Sequence, residues 1–480
     1  MASEATWRKA EENEEPAHPW RDELKRSLTL AWPFAAMQLA QLSINVGLMI
    51  MCGRLGATEL AGSMLGLQVF LFVFLFALGL AIAVAPMVAQ ARGANDLRLV
   101  RGAFCQGLWA TGIIAVPGAL VLWYSGNILR IAGQDPGVAS DAAEFTRPMA
   151  IGLPAWLWFF VVRNYMGAMG RPKPALYVMI VAIALNFLLG YLLIFGKFGF
   201  PAWGVFGAGF TAAIIGWLLL LGLSGFALAD RRLRRLNVPS ELLRINWPQF
   251  REVFRIGVPM GLAMLFETTL FLAVLWLQGL ISVQTQAAHA IVVQLANLAF
   301  MVPLGVSQAA TVRVGLAVGH GDALEAHRAA VVAFVITVVW ALLAGIVFLL
   351  IPSILARQFL DPTLPESATV AATAVTFLAI AAAFTIFDAM QTASLGVLRG
   401  LKDTRIPTLI TALGYWIVGF PLAALLGLWI GWEGVGVWLG LAAGNALASV
   451  LMAWRMRYRL EQLERETVAE EARGALPQPA

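Results

Sequence analysis

The sequence predicts an all-α polytopic membrane protein, with twelve transmembrane helices in two six-helix repeats, an N-lobe and a C-lobe, around a central cavity. Three observations carry this. Apolar residues make up 60% of the 480-residue chain and charged residues 13%, against roughly half and a quarter in soluble domains. Many windows run for roughly 18 residues or more without Asp, Glu, Lys or Arg, long enough for a helix to cross about 30 Å of hydrocarbon. Identical residues also recur at a fixed spacing of 226.

The elements follow in chain order. Residues 1–27, MASEATWRKAEENEEPAHPWRDELKRS, are highly charged and lack the short apolar core and small-residue cleavage site of a removable signal. They are expected as a cytoplasmic tail, and the first span directs insertion. Charge-free windows place spans at 28–52, 61–88, 103–124, 148–169, 174–196 and 203–228, which make an N-lobe over 28–229. The longest polar connection, DRRLRRLNVPSELLRINWPQFREVFR, carries seven basic residues and sets a linker at 230–253. Spans at 254–280, 287–312, 329–354, 368–398, 407–429 and 434–454 make a C-lobe over 254–455, and 456–480 form a second tail. The end of that tail, ERETVAEEARGALPQPA, is of mixed charge and reads as disordered.

An even number of spans puts both termini on one side. Of the 33 Lys and Arg, 28 fall in the two tails and alternate loops and five on the other side. The positive-inside rule therefore predicts cytoplasmic termini, and it explains the net charge of +5 without nucleic acid. Cys52 and Cys105 lie in or beside apolar segments with no metal-binding spacing, and read as packing residues.

The repeat pairs Pro33 with Pro259, Gly53 with Gly279, Gly93 with Gly319 and Asp96 with Asp322, each 226 apart. RGANDLRLVRG and VGHGDALEAHR then occupy equivalent loops. Six spans return the chain to its starting side, so the lobes share one topology about a pseudo-two-fold along the membrane normal, which suits alternating access.

Two acids lie well inside the spans: Glu267 of helix seven and Asp388 of helix ten. Each is expected roughly 15–16 Å from the cytoplasmic end of its span, at 1.5 Å rise per residue. An acid at that depth costs on the order of 2.5 to 3.5 kcal/mol, so it is read as functional and facing a cavity or partner. Thr385, Gln391 and Thr392 share a helix face with Asp388, and Gln294 and Asn297 share one on helix eight. These oxygens, with Thr268 and Thr269 beside Glu267, are candidate ligands for a hard cation such as Na⁺ or for substrate. Gln41, Asn45 and Asn186 are the polar candidates of the first half. His289 is a candidate proton relay or a helix-end hydrogen-bonding residue. Arg163, near the end of helix four, is expected to snorkel to the interface. Trp156, Trp158, Phe159, Phe160, Met264 and Met390 offer a stacking surface for flat cations, or plain packing.

The stretches PMGLAMLFETTLF, AAHAIVVQLANLAFMVPLGVSQAATVRVG, FDAMQTASLGVLRGLKDTRIP, MCGRLGATELAG and ALNFLLGYLLIFGKFGFPAWGVFGAG resemble the multidrug and toxic compound extrusion (MATE) family, its NorM-like branch above all. The resemblance covers essentially all twelve helices. It implies a V-shaped cavity between two lobes and export of small organic, often cationic, compounds against H⁺ or Na⁺; a monomer in a bacterial inner (plasma) membrane is expected. No other cofactor is expected. It places Glu267 and Asp388 on the two C-lobe acids linked to cation coupling. This chain departs from the family at Leu48, where a helix-one aspartate is usual, at Gly190, four residues after the retained Asn186, and at Phe384, where a tyrosine is frequent. Glu267 pairs at the 226 offset with the uncharged Gln41. Coupling is therefore expected in the C-lobe alone.

Two alternatives stand beside this reading. A lipid-linked precursor flippase of the same superfamily would be expected to line its cavity with several Arg or Lys, and the sequence puts none near the midplane. A membrane-embedded enzyme using the two acids as an acid and base pair would need further motifs. The sequence holds no GxxxxGK[ST] nucleotide loop, so an ion gradient is the expected energy source.

Overall fold

The computed structural model describes residues 18–230, 244–363 and 365–474. The first 17 residues of the N-terminal tail, 231–243 of the linker and the last six residues of the C-terminal tail lie outside the described residues. Among the described residues, twelve helices are long and apolar enough to cross a membrane. In the N-lobe they are α1 (Pro19–Gly53), α2 (Ala57–Gly93), α3 (Leu97–Trp123), α4 (Pro136–Ala168), α5 (Lys173–Phe195) and α6 (Gly204–Ala229). In the C-lobe they are α7 (Trp247–Ile281), α8 (Val283–His320), α9 (Ala323–Leu350), α10 (Ser367–Gly400), α11 (Arg405–Trp429) and α12 (Glu433–Gly474). Two short helices, Ser125–Ile131 and Pro352–Arg357, link α3 to α4 and α9 to α10.

Several helices outrun their charge-free windows, because a helix leaving the hydrocarbon can continue with charged residues. Thus α4 begins at Pro136, with Asp135 capping the amides of Gly137 and Val138. The start of α7 at Trp247 falls inside the stretch expected as linker, since Asn246 caps Gln249 and a proline suits the first turn. The ninth span was expected to reach 354, but α9 stops at Leu350 and Pro352 opens the short helix that follows. The tail read as disordered is helical as far as Gly474, and Arg455 binds Asp403 at 2.8 Å while Glu464 meets His327 at 3.0 Å.

The 226-residue repeat is visible atom by atom. Asp96 and Asp322 are both N-caps, at φ −96°, with side chains that accept from backbone amides of the next turn. Each follows a left-handed residue at the equivalent position, Asn95 (φ 55°) and Gly321 (φ 77°). The lobes themselves meet through small residues. Gly79 of α2 lies against Gly257 and Gly261 of α7, and the equivalent pair, Gly305 of α8 with Ala35 of α1, repeats that contact across the axis. Lipid gives no hydrophobic drive between helices, so such close backbone approach supplies the van der Waals contact that holds them. These contacts, together with the inter-lobe bonds Arg163 to Gln308, Gln90 to the Gly400 carbonyl and Arg313 to Glu23, all lie toward the face that carries both chain ends. The lobes therefore close on the termini side.

Candidate functional site

The acids stand on two helices of the C-lobe, α7 and α10. Glu267 lies near the middle of α7, and Asp388 is about 18 Å from the Gly400 end of α10, counting 1.5 Å per residue. Both side chains are partly buried, and each is within electrostatic reach of the other. Asp388 and Thr385 border a cavity of about 10 Å³ closed by apolar groups such as Ala296, Phe300 and Trp340. That volume suits one water-sized particle.

The polar face foreseen on α10 is present. Thr385 donates to the Ala382 carbonyl at 2.9 Å, and Gln391 donates to the Tyr415 hydroxyl at 2.9 Å. The Gln391 carbonyl oxygen is buried without a hydrogen-bond partner. Tyr415 was not foreseen. It sits in a π-helical stretch of α11, Leu413–Gly419, whose wide turn carries it to the acids, and it is within electrostatic reach of both. The next residue, Trp416, donates to the Phe266 carbonyl at 3.1 Å and so ties α11 to the residue before Glu267. Asn445 and Ser449 of α12 continue the polar region. Asn445 donates to the Phe384 carbonyl at 3.4 Å, while its own carbonyl oxygen and the Ser449 hydroxyl are buried without partners.

The other sequence candidates lie elsewhere. Gln294 and Asn297 are exposed on α8. His289 is buried with its ring 5.4 Å from that of Trp438, in the packing of α8 on α12. Asn186 is buried in the N-lobe and donates to the Ile44 carbonyl at 3.2 Å, while Gln41 and Asn45 are partly buried on α1. Leu48 packs in the core, and a methyl group on Gly190 would meet the Met51 sulfur at 2.6 Å, so both family positions that lack an acid here are filled by packing. Phe384 packs edge-on against Phe271 and Trp438. Of the aromatic candidates, Trp156 and Trp158 are hydrogen-bonded to the Ala212 and Leu108 carbonyls and serve packing, whereas Phe160 and Met264 line a cavity between the lobes.

Arg163 corrects the sequence reading. It is 2% exposed and does not snorkel. A second arginine, Arg399, borders the same inter-lobe cavity, and the sequence reading had put it in a loop. Neither was visible as a cavity residue, because a charge near a helix end looks alike whether it turns to water or to a partner.

Two equivalent six-helix lobes built of twelve spans long and apolar enough to cross a membrane define a polytopic integral membrane protein of the transporter class. The MatE family profile matches residues 33–192 and 259–425, one segment in each lobe. The chain is 38% identical over 449 residues to a "Probable multidrug resistance protein NorM" of Mesorhizobium japonicum, covering 93% of this chain and 96% of the relative. It is 41% identical over 439 residues to the same-named protein of Rhizobium meliloti, covering 91% and 93%. Its fold matches the crystal structure of the eukaryotic MATE transporter AtDTX14 with a TM-score of 0.81 at 22% identity, over 94% of this chain and all of that one. A crystal structure of MATE in the bent conformation matches with a TM-score of 0.83 at 18% identity, over 95% of this chain. The chain belongs to the MatE family and is a multidrug efflux transporter, not an enzyme.

Proposed function

We propose that this protein exports organic cations in antiport with protons, and that Glu267 and Asp388 carry the coupling proton. The observation that carries the reading is the pairing of two intramembrane carboxylates in one lobe while the N-lobe positions are apolar or uncharged, at Leu48, Gly190 and Gln41. An organic cation and a proton compete for such a pair, so release of one on one side of the membrane permits uptake of the other. The donor set favours a proton over Na⁺. Among the described residues, the oxygens near Asp388 include Thr385, the Gln391 carbonyl and the Tyr415 hydroxyl, of which the last accepts from Gln391. A dedicated site for a hard cation gathers several oxygens about the ion, waters included, whereas a carboxylate pair alone suffices to hold a proton. The positive-inside count supports termini in the cytoplasm, and the lobe closure on that side then corresponds to an outward-facing arrangement of a bacterial inner-membrane protein. Nothing in the reading requires more than one copy of the chain.

The test is drug resistance in cells that lack their own efflux pumps. Glu267→Gln and Asp388→Asn are each expected to abolish resistance to ethidium at unchanged membrane abundance. Resistance at the wild-type level in either variant would remove that acid from the mechanism.

A further inference from the structure

Two buried arginines from opposite lobes line one cavity at the lobe boundary. Arg163 comes from α4 and Arg399 from the end of α10, and the cavity between them holds about 70 Å³, walled by apolar groups such as Phe34, Phe160 and Met264. Both arginines are buried, at 2% and 6% exposure. One nitrogen of Arg163, Nη2, donates to the side-chain oxygens of Gln38 at 3.1 Å and Gln308 at 2.6 Å, and its Cζ lies 4.7 Å from the centre of the Phe160 ring. Among the described residues its Nε and Nη1 have no hydrogen-bond partner, nor has the Nε of Arg399. Glu267 is within electrostatic reach of Arg399, but it does not border the cavity, and one carboxylate cannot balance two guanidinium groups.

Buried guanidinium donors without acceptors call for acceptors in the cavity, and two buried positive charges favour an anionic one. The volume decides its size. About 10–15 Å³ of such space holds one water, so 70 Å³ admits a small hydrated ion or an oxyanion, whereas drug-sized ligands need roughly 300 Å³ or more. We propose that this cavity binds one small free anion, a halide or an oxyanion such as phosphate, held between Arg163 and Arg399. The ion neutralises both arginines at once, and it bridges the lobes because each arginine belongs to a different one. It therefore binds the arrangement in which the lobes are closed on the termini side and is released when they part. By mass action, an anion at ten times its Kd favours that arrangement about 11-fold. The inference is independent of the coupling role proposed for Glu267 and Asp388, since binding is measured without transport.

The test uses the purified full-length protein in a neutral detergent free of anionic lipid. Thermal unfolding is followed while sodium bromide or sodium phosphate replaces sodium gluconate at constant ionic strength. A saturable rise of the unfolding midpoint in the millimolar range is expected, weakened at least tenfold in apparent affinity by Arg399→Gln or Arg163→Gln and largely restored by Arg399→Lys. Should the glutamine variants fail to fold, crystals of the wild-type protein soaked in bromide are expected to give an anomalous peak between the two guanidinium groups. Stabilisation unchanged in a folded Arg399→Gln, no difference from gluconate, or soaked crystals without that peak would each overturn the proposal. Stabilisation by phosphatidylglycerol micelles but not by bromide or phosphate would overturn it too, by assigning the arginines to a lipid headgroup.

Discussion

Gly93 and Gly319 occupy equivalent places in the two lobes and touch each other. A methyl group on Gly93 would fall 2.8 Å from the Cα of Gly319, and one on Gly319 would fall 2.9 Å from the Cα of Gly93. The pseudo-two-fold thus passes close to this contact, and the backbones of α2 and α8 cross there with no room for a side chain. The other near neighbours are backbone carbonyls, of Leu316 and Gln90, which cannot rotate away.

Gly93→Ala or Gly319→Ala is therefore expected to drive the lobes apart on the termini side. Overpacking of this kind costs about 1–3 kcal/mol, or roughly a 5- to 150-fold shift toward the arrangement open on that side. Spin-label distances across the termini side of the lobe boundary check this. They should lengthen in both variants, and distances like those of the wild type would contradict the contact.

The same closure is pinned by charge. Arg313 of α8 is bonded to both carboxylate oxygens of Glu23 on α1 and, at 2.8 Å, to Glu325 of α9, while Ser27 donates to Glu23 at 2.9 Å. Glu23 and Arg313 are buried, at 4% and 6% exposure. Removing one partner strands a charge and costs about 3–5 kcal/mol, whereas removing both costs far less. Glu23→Gln and Arg313→Gln should each lower the stability of the purified protein more than the double variant does. Additive losses in a double-mutant cycle would deny the pair its coupling.

Tyr415→Phe takes the acceptor from Gln391 in a buried place, a loss of about 1–3 kcal/mol. Efflux is expected to fall several-fold without loss of the folded protein, because the hydroxyl is within electrostatic reach of both acids and holds Gln391 of the α10 polar face. Phe384→Tyr tests the complementary point. It adds a hydroxyl where Phe384 packs against Trp438, and it is expected to leave ion preference unchanged, as measured by ethidium efflux in media with and without Na⁺.

The parts of the fold legible in the sequence are those where lipid punishes alternatives. A charge in a span is costly, so charge-free windows mark helices and make Glu267 and Asp388 conspicuous. The repeat was legible because Asp96 and Asp322 cap helices after residues held in the left-handed region, a demand that few residue types meet. Tyr415 escaped because one tyrosine in an apolar helix is ordinary, and only the π-helical turn of α11 directs it at the acids. The pairing of Glu23 with Arg313 joins residues 290 apart, and no local pattern announces it. Arg163 and Arg399 were hidden because snorkelling and burial differ only in what the neighbouring helix presents. The stretch from Glu464 looked unable to build a core, yet it continues α12 as a helix to Gly474 and Glu464 meets His327 of α9.

The central claim is that a proton held by the C-lobe acids drives efflux. Proteoliposomes containing the wild-type protein, loaded with ethidium and given either a proton gradient or a Na⁺ gradient alone, test it most directly. The account predicts efflux under the proton gradient, none above background under the Na⁺ gradient, and none under either for Asp388→Asn. Full-rate efflux driven by Na⁺ alone, or proton-driven efflux that survives Asp388→Asn, would contradict it.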